Sequence, residues 1–287
     1  MISLSGKSKV YGILGDPVAH SLSPLMHNQA FLDYHIDAVY VPFHVSPTHL
    51  SAAVRGLHAL NVAGVNVTIP HKEAILPFLD QLDPTAQLIG AVNTVVKTDG
   101  ALIGYNTDAS GFMRAVQQEL NFLPEGQNIL LLGAGGACRA AAVALASAGV
   151  KSIIIANRQL ARAEKLINDL MPYFKSIQFS AVNYNDNNYL EALSAADLIV
   201  NTTSVGLKGE KLNFLPLEHI KGSALIYDMI YSLSETPLIR SARSVGILCA
   251  NGLGMLAAQG EDAFFLWTGI RLPAGFMRKV LIESHIK

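Results

Sequence analysis

The feature that most constrains the fold is a strand, a glycine turn and a helix in immediate succession near the middle of the chain. The apolar run Asn128–Leu132 has the length of a buried strand, and Gly133-Ala134-Gly135-Gly136 follows it directly. An alanine-rich segment of helical character then extends to Ala148. Glycines at such a turn let backbone N–H groups and the helix N-terminus approach a pyrophosphate closely. The succession predicts a doubly wound α/β domain that binds a dinucleotide, with Cys138 in the place of the usual third glycine.

The residues after the next predicted strand, Ser152–Ala156, indicate which dinucleotide is bound. A protein specific for NAD usually has an acidic residue there, which holds the ribose 2′-hydroxyl. This chain instead has Asn157 and Arg158, with Arg162 one helical turn further on. Two guanidinium groups can hold a 2′-phosphate by charge-assisted hydrogen bonds, each worth about 1.5–3 kcal/mol. We therefore expect NADP as the cofactor.

Short β-branched runs alternate with segments of helical periodicity along the chain, which indicates βαβ units and mainly parallel sheets. Thr98-Asp99-Gly100 predicts a hairpin, and Ser23 before Pro24 is the expected N-cap of the first helix. The predicted strands form two series: Val10–Leu14, Val39–Phe43, Gly64–Val67, Val92–Lys97 and Ala101–Tyr105, then Asn128–Leu132, Ser152–Ala156, Leu198–Asn201, Ala224–Asp228 and Gly246–Cys249.

These elements predict two α/β domains. We expect an N-terminal α/β substrate domain over residues 1–109, completed by helices within 253–287 that return to it. A Rossmann-type domain with a doubly wound parallel sheet, which binds NADP, is expected over residues 110–252.

Composition excludes several classes of protein. A chain of 287 residues with 51% hydrophobic and 15% charged residues suits two compact globular domains. A formal net charge of -1 argues against a broad surface for nucleic acids or membranes. Two cysteines, Cys138 and Cys249, cannot build a disulfide framework or a zinc site, and Met1–Lys9 has no apolar segment typical of a secretory signal. We expect a cytoplasmic protein, a monomer or homodimer, without a metal.

Four clusters of polar residues follow predicted strands or turns in the first half of the chain. They begin at His20, Asn66, Ala91 and Asn106 and read H-S-L-S-P, N-V-T-I-P-H-K, A-V-N-T and N-T-D. Ligands of open α/β sheets bind at the ends of strands. The hydroxyls, amides, lysine and acid in these clusters predict a small ligand that carries a carboxylate and several hydroxyl groups.

These motifs, in this order, resemble those of the shikimate dehydrogenase family. The resemblance continues through the glycine turn, the N-R-x-x-x-R-A stretch from Asn157, the N-T-T-S run from Asn201 and the G-L-G-M-L segment from Gly252. It implies an oxidoreductase that reversibly reduces 3-dehydroshikimate to shikimate with NADPH, within chorismate and aromatic amino acid biosynthesis.

The resemblance also implies a role for each matching residue. Lys72 and Asp108 would be the catalytic pair, and Asp108 would also contact the substrate. The remaining substrate contacts would be Ser21, Ser23 and Tyr231 on the carboxylate and Thr68, Asn93 and Gln259 on the ring hydroxyls. The cofactor contacts would be Gly133, Ala134, Gly135, Gly136, Ala137, Asn157, Arg158, Arg162, Thr202, Met229 and Gly252.

Three other functions stay open from the sequence. A quinate/shikimate dehydrogenase that prefers NAD is one, and Arg158 and Arg162 argue against it. A related dehydrogenase for another small metabolite, such as a folate derivative, is the second. The third is a sensor that binds NADP or shikimate without turnover, which predicts the loss of Lys72 or Asp108, whereas the chain has both.

Overall fold

The computed structural model describes residues 4–285 and has a mixed α/β architecture. The strands are β1 Lys9–Gly15, β2 Ala38–His44, β3 Gly64–Val67, β4 Gln81–Leu82, β5 Thr94–Thr98, β6 Ala101–Tyr105, β7 Asn128–Leu132, β8 Ser152–Ala156, β9 Gln178–Val182, β10 Leu198–Asn201, β11 Leu225–Asp228 and β12 Cys249–Asn251. The α-helices are α1 Ser23–Asp33, α2 Leu50–Ala59, α3 His71–Ala74, α4 Pro84–Ile89, α5 Thr107–Leu120, α6 Gly136–Ser147, α7 Leu160–Leu170, α8 Asn187–Ala195, α9 Pro237–Ser244, α10 Leu253–Thr268 and α11 Phe276–His285.

The chain divides into two compact units. Unit 1 contains the residues up to Gly111 together with those from Ala257 onward, and unit 2 is Phe112–Leu256. The division falls within α5 and α10. The expected roles of the two parts, one for substrate and one for NADP, remain predictions.

Unit 1 contains a mixed six-stranded sheet in the order β2-β1-β3-β5-β6-β4. Strand β1 pairs in parallel with β2 and β3, whereas β5 pairs antiparallel with β3 and β6. The predicted hairpin joins β5 to β6, and its turn residues Asp99 and Gly100 have φ values of 50° and 83°. Positive φ at both central residues is what the tight turn of a hairpin requires. The sequence had indicated mainly parallel pairing, and this hairpin makes the sheet mixed.

Unit 2 contains a fully parallel six-stranded sheet in the order β12-β11-β10-β7-β8-β9. The chain runs outward from β7 to β9 and then returns to the other side of β7 with β10. This order confirms the predicted doubly wound α/β fold, which in unit 2 has its switch point between β7 and β10. Ligands of such sheets bind beyond the carboxyl ends of the strands at the switch point.

Each unit has its own apolar core. In unit 1, aliphatic side chains from β3 and β5 pack with those of α2, including Val54, Val65 and Val95. In unit 2, the core lies between the sheet and its flanking helices and includes Leu130, Ile199 and Leu193. Each core holds the strand ends of its own sheet in position, and the polar motifs follow those strand ends.

Some predicted details are wrong. Ser23 is not an N-cap: it is the first residue of α1, the N-cap position is Leu22, and no side chain caps the helix. Strand β12 is Cys249–Asn251 rather than Gly246–Cys249, because Gly246 adopts φ 80° in the turn that ends α9. By contrast, Thr236 does cap α9, since its hydroxyl accepts a hydrogen bond from the Ile239 amide.

Candidate active site

Lys72 and Asp108 form a partly buried ion pair in unit 1. The Lys72 Nζ donates to Asp108 Oδ2 at 2.6 Å, and the two side chains are 32% and 16% exposed. Lys72 lies on the short helix α3, where its carbonyl accepts from the Val92 amide at 2.8 Å. Asp108 lies in the first turn of α5. The motifs that begin at Asn66 and Asn106 therefore place an ammonium and a carboxylate together where a ligand can still reach them.

Asn93 organises the groups around this pair. Its Nδ2 lies 2.9 Å from Asp108 Oδ1, 3.0 Å from Thr107 Oγ1 and 3.4 Å from Gln259 Oε1. Its Oδ1 accepts from the Thr107 amide at 2.7 Å. Since Asn93 is only 2% exposed, this amide orients Asp108 from the protein interior. The structure thus brings together Asn93, Asp108 and Gln259, which the sequence places far apart.

The other predicted substrate contacts are distributed over both units. Ser21 and Ser23 lie at the start of α1, where the Ser23 amide donates to Ser21 Oγ at 3.2 Å. Thr68 follows β3. A Cβ placed on Gly15 would lie 2.5 Å from the Thr68 methyl group, so the two residues are in close contact. Tyr231 belongs to unit 2 and is 41% exposed.

The glycine turn of unit 2 has the backbone form that a pyrophosphate site needs. Gly133 has φ 106°, and a Cβ there would lie 2.9 Å from the Thr202 hydroxyl oxygen. A Cβ on Gly135 would meet no atom within 4 Å. Gly135 is also the N-cap residue of α6, so no side chain caps this helix. Gly135, Gly136 and Ala137 are exposed, whereas Ala134 is partly buried. The N–H groups at the start of α6 are therefore accessible to an anion, so this turn fits a dinucleotide.

The predicted 2′-phosphate residues follow β8. Arg158 and Arg162 are exposed, and the Arg158 carbonyl accepts from Asn183 Nδ2 at 2.9 Å. Asn157 closes the turn by donating its Nδ2 to the Gln159 carbonyl at 2.8 Å. A different arginine, Arg139, pairs with Asp169 at 2.9 Å. The hydrogen bonds to the Gln159 and Arg158 carbonyls thus fix the backbone of this turn, whereas the Arg158 side chain is exposed.

The last predicted cofactor residues lie beyond β10, β11 and β12. The Thr202 hydroxyl donates to the Leu132 carbonyl at 2.6 Å, which ties it to the strand that precedes the glycine turn. Met229 donates its amide to the Asn201 carbonyl at 3.0 Å. A Cβ on Gly252 would lie 2.4 Å from the Met229 carbonyl oxygen, so that position requires glycine.

Sequence reasoning missed a buried carboxylate in unit 2. Asp228, fully buried at the end of β11, accepts from Asn201 Nδ2 at 2.9 Å, from the Ile230 amide at 3.2 Å and from the Thr236 hydroxyl at 2.6 Å. Burial raises the pKa of this carboxyl, and the Thr236 hydrogen bond acts in the opposite direction. The signal in the sequence was an acid that ends an apolar strand just before Met229.

No group of three or more His, Cys, Asp or Glu side chains within residues 4–285 is arranged to hold a metal ion. None of the helices described has the length and apolar character needed to cross a membrane.

Three family models match successive parts of the chain. The shikimate dehydrogenase substrate binding domain matches residues 13–95, shikimate / quinate 5-dehydrogenase matches residues 115–238, and the shikimate 5′-dehydrogenase C-terminal domain matches residues 252–282. Together the three matches include both the Lys72 motif and the glycine turn.

Individual proteins are similar over almost the whole length. A shikimate dehydrogenase (NADP(+)) of Geobacter metallireducens is 48% identical over 283 residues, which cover 99% of both chains. The Listeria monocytogenes shikimate 5-dehydrogenase, solved with shikimate and NAD, is 35% identical with a TM-score of 0.90 and covers 97% of this chain and 98% of its own. The Thermus thermophilus enzyme, solved with NADP(H) and shikimate, is 36% identical with a TM-score of 0.85 and covers 96% and 98%. The chain belongs to the shikimate dehydrogenase family.

Proposed function

We propose that this chain catalyses the reversible, NADPH-dependent reduction of 3-dehydroshikimate to shikimate, with Lys72 and Asp108 as the catalytic residues. The chain is an NADP-dependent oxidoreductase that acts on a CH–OH group, as its relatives are. The observation that carries the assignment of residues is the 2.6 Å ion pair between Lys72 and Asp108, which remains partly exposed.

Lys72 is proposed as the proton donor. Reduction of a ketone leaves negative charge on its oxygen, so an acid must stand beside that oxygen. The Lys72 ammonium can polarise the carbonyl and then protonate it. In the reverse direction the neutral amine accepts the proton of the hydroxyl group. NADPH, when bound, supplies the hydride.

Asp108 is proposed to orient both Lys72 and the substrate. Its Oδ2 accepts from Lys72 and its Oδ1 accepts from Asn93, so the two oxygens have different neighbours. A carboxylate held in this way directs the lysine side chain, and it can accept a hydrogen bond from a hydroxyl group next to the reacting carbon.

The remaining substrate contacts are proposed by their chemistry. Ser21, Ser23 and Tyr231 supply hydroxyl donors for the substrate carboxylate. Thr68, Asn93 and Gln259 would hold the ring hydroxyls. Support comes from the hydrogen bonds that tie Asn93 to both Asp108 and Gln259, because a polyhydroxylated ring needs several polar groups at fixed separations.

The cofactor is proposed to bind through backbone and charge in unit 2. The glycine turn and the N-terminus of α6 would take the pyrophosphate, with Ala134 and Ala137 as its small flanking residues. Asn157, Arg158 and Arg162 would hold the 2′-phosphate. Thr202, Met229 and Gly252 would complete the site near the nicotinamide. We accordingly assign the substrate to unit 1, residues 1–109 and 253–287 in the sequence-based division, and NADP to residues 110–252.

We also infer a cytoplasmic location and a monomer or homodimer. The two cysteines, Cys138 and Cys249, are buried free thiols, and burial raises the pKa of Cys138 to about 12. Thiols in this state suit a reducing compartment.

One spectrophotometric assay tests the proposed function. Turnover is followed at the nicotinamide absorbance with shikimate or quinate as substrate, each with NADP and with NAD. We expect kcat/KM to be highest for shikimate with NADP. Preference for quinate with NAD would contradict the proposal, and binding of shikimate without turnover under any of these conditions would favour a sensor.

A further inference from the structure

A buried chain of hydrogen bonds runs from Tyr40 to the candidate catalytic pair within unit 1. The Tyr40 hydroxyl donates to Asn66 Oδ1 at 2.7 Å. Asn66 Nδ2 donates to the Asn93 carbonyl and to Thr94 Oγ1, both at 3.1 Å. The Thr94 hydroxyl lies 3.1 Å from Asn93 Oδ1, and Asn93 in turn donates to Asp108. Tyr40 is thus linked to Asp108 without an intervening solvent-exposed group.

The Tyr40 ring is held rigidly in this position. It is 1% exposed and stacks on the His27 ring at 4.5 Å with an interplanar angle of 11°. Burial lowers the pKa of His27 to about 3, so the imidazole is neutral near pH 7. The Asn28 side chain fixes the backbone on both sides of Tyr40, since it accepts from the Tyr40 amide at 2.8 Å and donates to the Tyr40 carbonyl at 2.9 Å. A ring fixed in this way directs its hydroxyl to one place.

We propose that Tyr40 is a positioning residue for substrate binding, whose hydroxyl orients Asn93 through Asn66. Tyr40 does not itself touch the substrate in this proposal, because its side chain is enclosed by the protein. The inference rests on the proposed role of Asn93. It adds a specific physical requirement: one interior hydroxyl fixes the orientation of the amide that contacts a ring hydroxyl of the substrate.

The variant Tyr40→Phe tests this because it removes one oxygen and keeps the ring. Tyr11→Phe is the matched control: Tyr11 is the parallel register partner of Tyr40, is 2% exposed, and makes no side-chain hydrogen bond to any of residues 4–285. Both rings also pack near Trp267, at 5.1 Å for Tyr11 and 6.0 Å for Tyr40. The two variants therefore lose the same atom from neighbouring strands of one sheet.

We expect Tyr40→Phe to raise the KM for shikimate about tenfold, the effect of losing one oriented hydrogen bond. Its kcat and its KM for NADP should stay within about twofold of the parent protein, and Tyr11→Phe should change none of the three. A purely structural loss would lower the melting temperature without this selective rise in one KM. An unchanged KM for shikimate, or an equal rise in both KM values, would overturn the inference.

A double-mutant cycle with Asn93→Ala sharpens the test. If Tyr40 acts through Asn93, Tyr40→Phe should raise the KM for shikimate less in the Asn93→Ala background than in the parent. Full additivity would overturn the inference. If Tyr40→Phe does not fold, Tyr40→4-aminophenylalanine keeps a donor for Asn66 and should leave the KM for shikimate within about twofold of the parent; a rise of about tenfold there would overturn the inference.

The same experiment separates this inference from the proposed function. Parent protein that turns over shikimate while Tyr40→Phe behaves like the parent refutes only the role of Tyr40. Parent protein without turnover of shikimate refutes the proposed function, and the inference with it.

Discussion

The two units build their candidate sites from different parts of the polypeptide. In unit 1 the site consists of side chains: Lys72 and Asp108 face each other, and Asn93 holds Asp108 from the interior. In unit 2 it consists largely of backbone: Gly133 has φ 106°, and the N–H groups at the start of α6 are accessible.

This difference has a physical consequence. A side-chain site requires partners from several helices and strands, so its geometry depends on the packing of the whole unit. A backbone site requires one local conformation, which glycine permits, and adds charge from exposed arginines that salt can screen. The first arrangement suits selection among small polar ligands, and the second suits a phosphate group.

The largest expected effect comes from removing the ammonium in unit 1. Lys72→Ala should lower kcat by about 10²–10⁴, the typical contribution of a positioned proton donor, and should change the KM for shikimate little. Steady-state kinetics measure both values. Lys97→Ala, which removes a lysine that bonds the His58 carbonyl in the same unit, is the control. A kcat near that of the parent would exclude Lys72 from the chemistry.

The exposed charges of unit 2 come next. Arg158→Ala and Arg162→Ala should each raise the KM for NADP about tenfold to hundredfold, because each loses a charge-assisted hydrogen bond to a phosphate. The KM for NAD should not change, so the ratio of the KM values for NADP and NAD measures the effect. Arg240→Ala, an exposed arginine of the same unit, serves as the control. If the KM values for NADP and NAD rise together, the 2′-phosphate assignment is wrong.

The backbone part of the site is tested by Gly133→Ala. A side chain at φ 106° costs about 1–3 kcal/mol, and its Cβ would also lie 2.9 Å from Thr202 Oγ1. We expect the KM for NADP to rise about tenfold. Gly126→Ala also has positive φ, 75°, but meets no atom within 4 Å, so it should reduce stability without changing this KM. Equal kinetic effects of the two variants would show that strain alone, and not the turn, is responsible.

Unit 2 also has a buried side-chain network around Asp228, and a substitution within it measures how much the network stabilises the fold. Thr236→Val keeps the shape but removes the hydrogen bonds to Asp228 and to the Ile239 amide. The free energy of unfolding should fall by about 1–3 kcal/mol, measured by urea denaturation. Thr98→Val, at an exposed strand end, should have almost no effect. Equal stability of the two variants would mean that the network contributes nothing.

The smallest effect concerns pH. Burial raises the pKa of Asp228 in the folded state, so its favourable contribution is fully present below the unfolded-state pKa and is lost as pH rises through the folded-state pKa. Asp228→Asn removes this titration. The free energy of unfolding of Asp228→Asn, minus that of the parent, should therefore increase as pH rises from about 4 to 7. A constant difference between the two proteins across this range would contradict the assignment.

The elements predicted from sequence differ in quality for physical reasons. Strands β7, β8 and β10 have the predicted bounds because largely buried parallel strands are continuous apolar runs between glycines and polar residues. Strand β9 was missed because it is an edge strand with one partner and a largely polar face. Helix α5, which carries Asp108, was missed because its start coincides with the expected domain boundary near Ser110.

By itself, the sequence determined the family, NADP as the cofactor and the location of the glycine turn, since each depends on short motifs whose own residues are close together along the chain. The tertiary structure alone decided which side chains meet: Asn93 reaches Gln259 across 166 residues, and Tyr40 reaches Asn66 across 26. Hydrogen bonds between distant residues depend on how strands and helices pack, and no local pattern encodes that geometry. The arrangement around Lys72 and Asp108 is therefore a property of the folded unit.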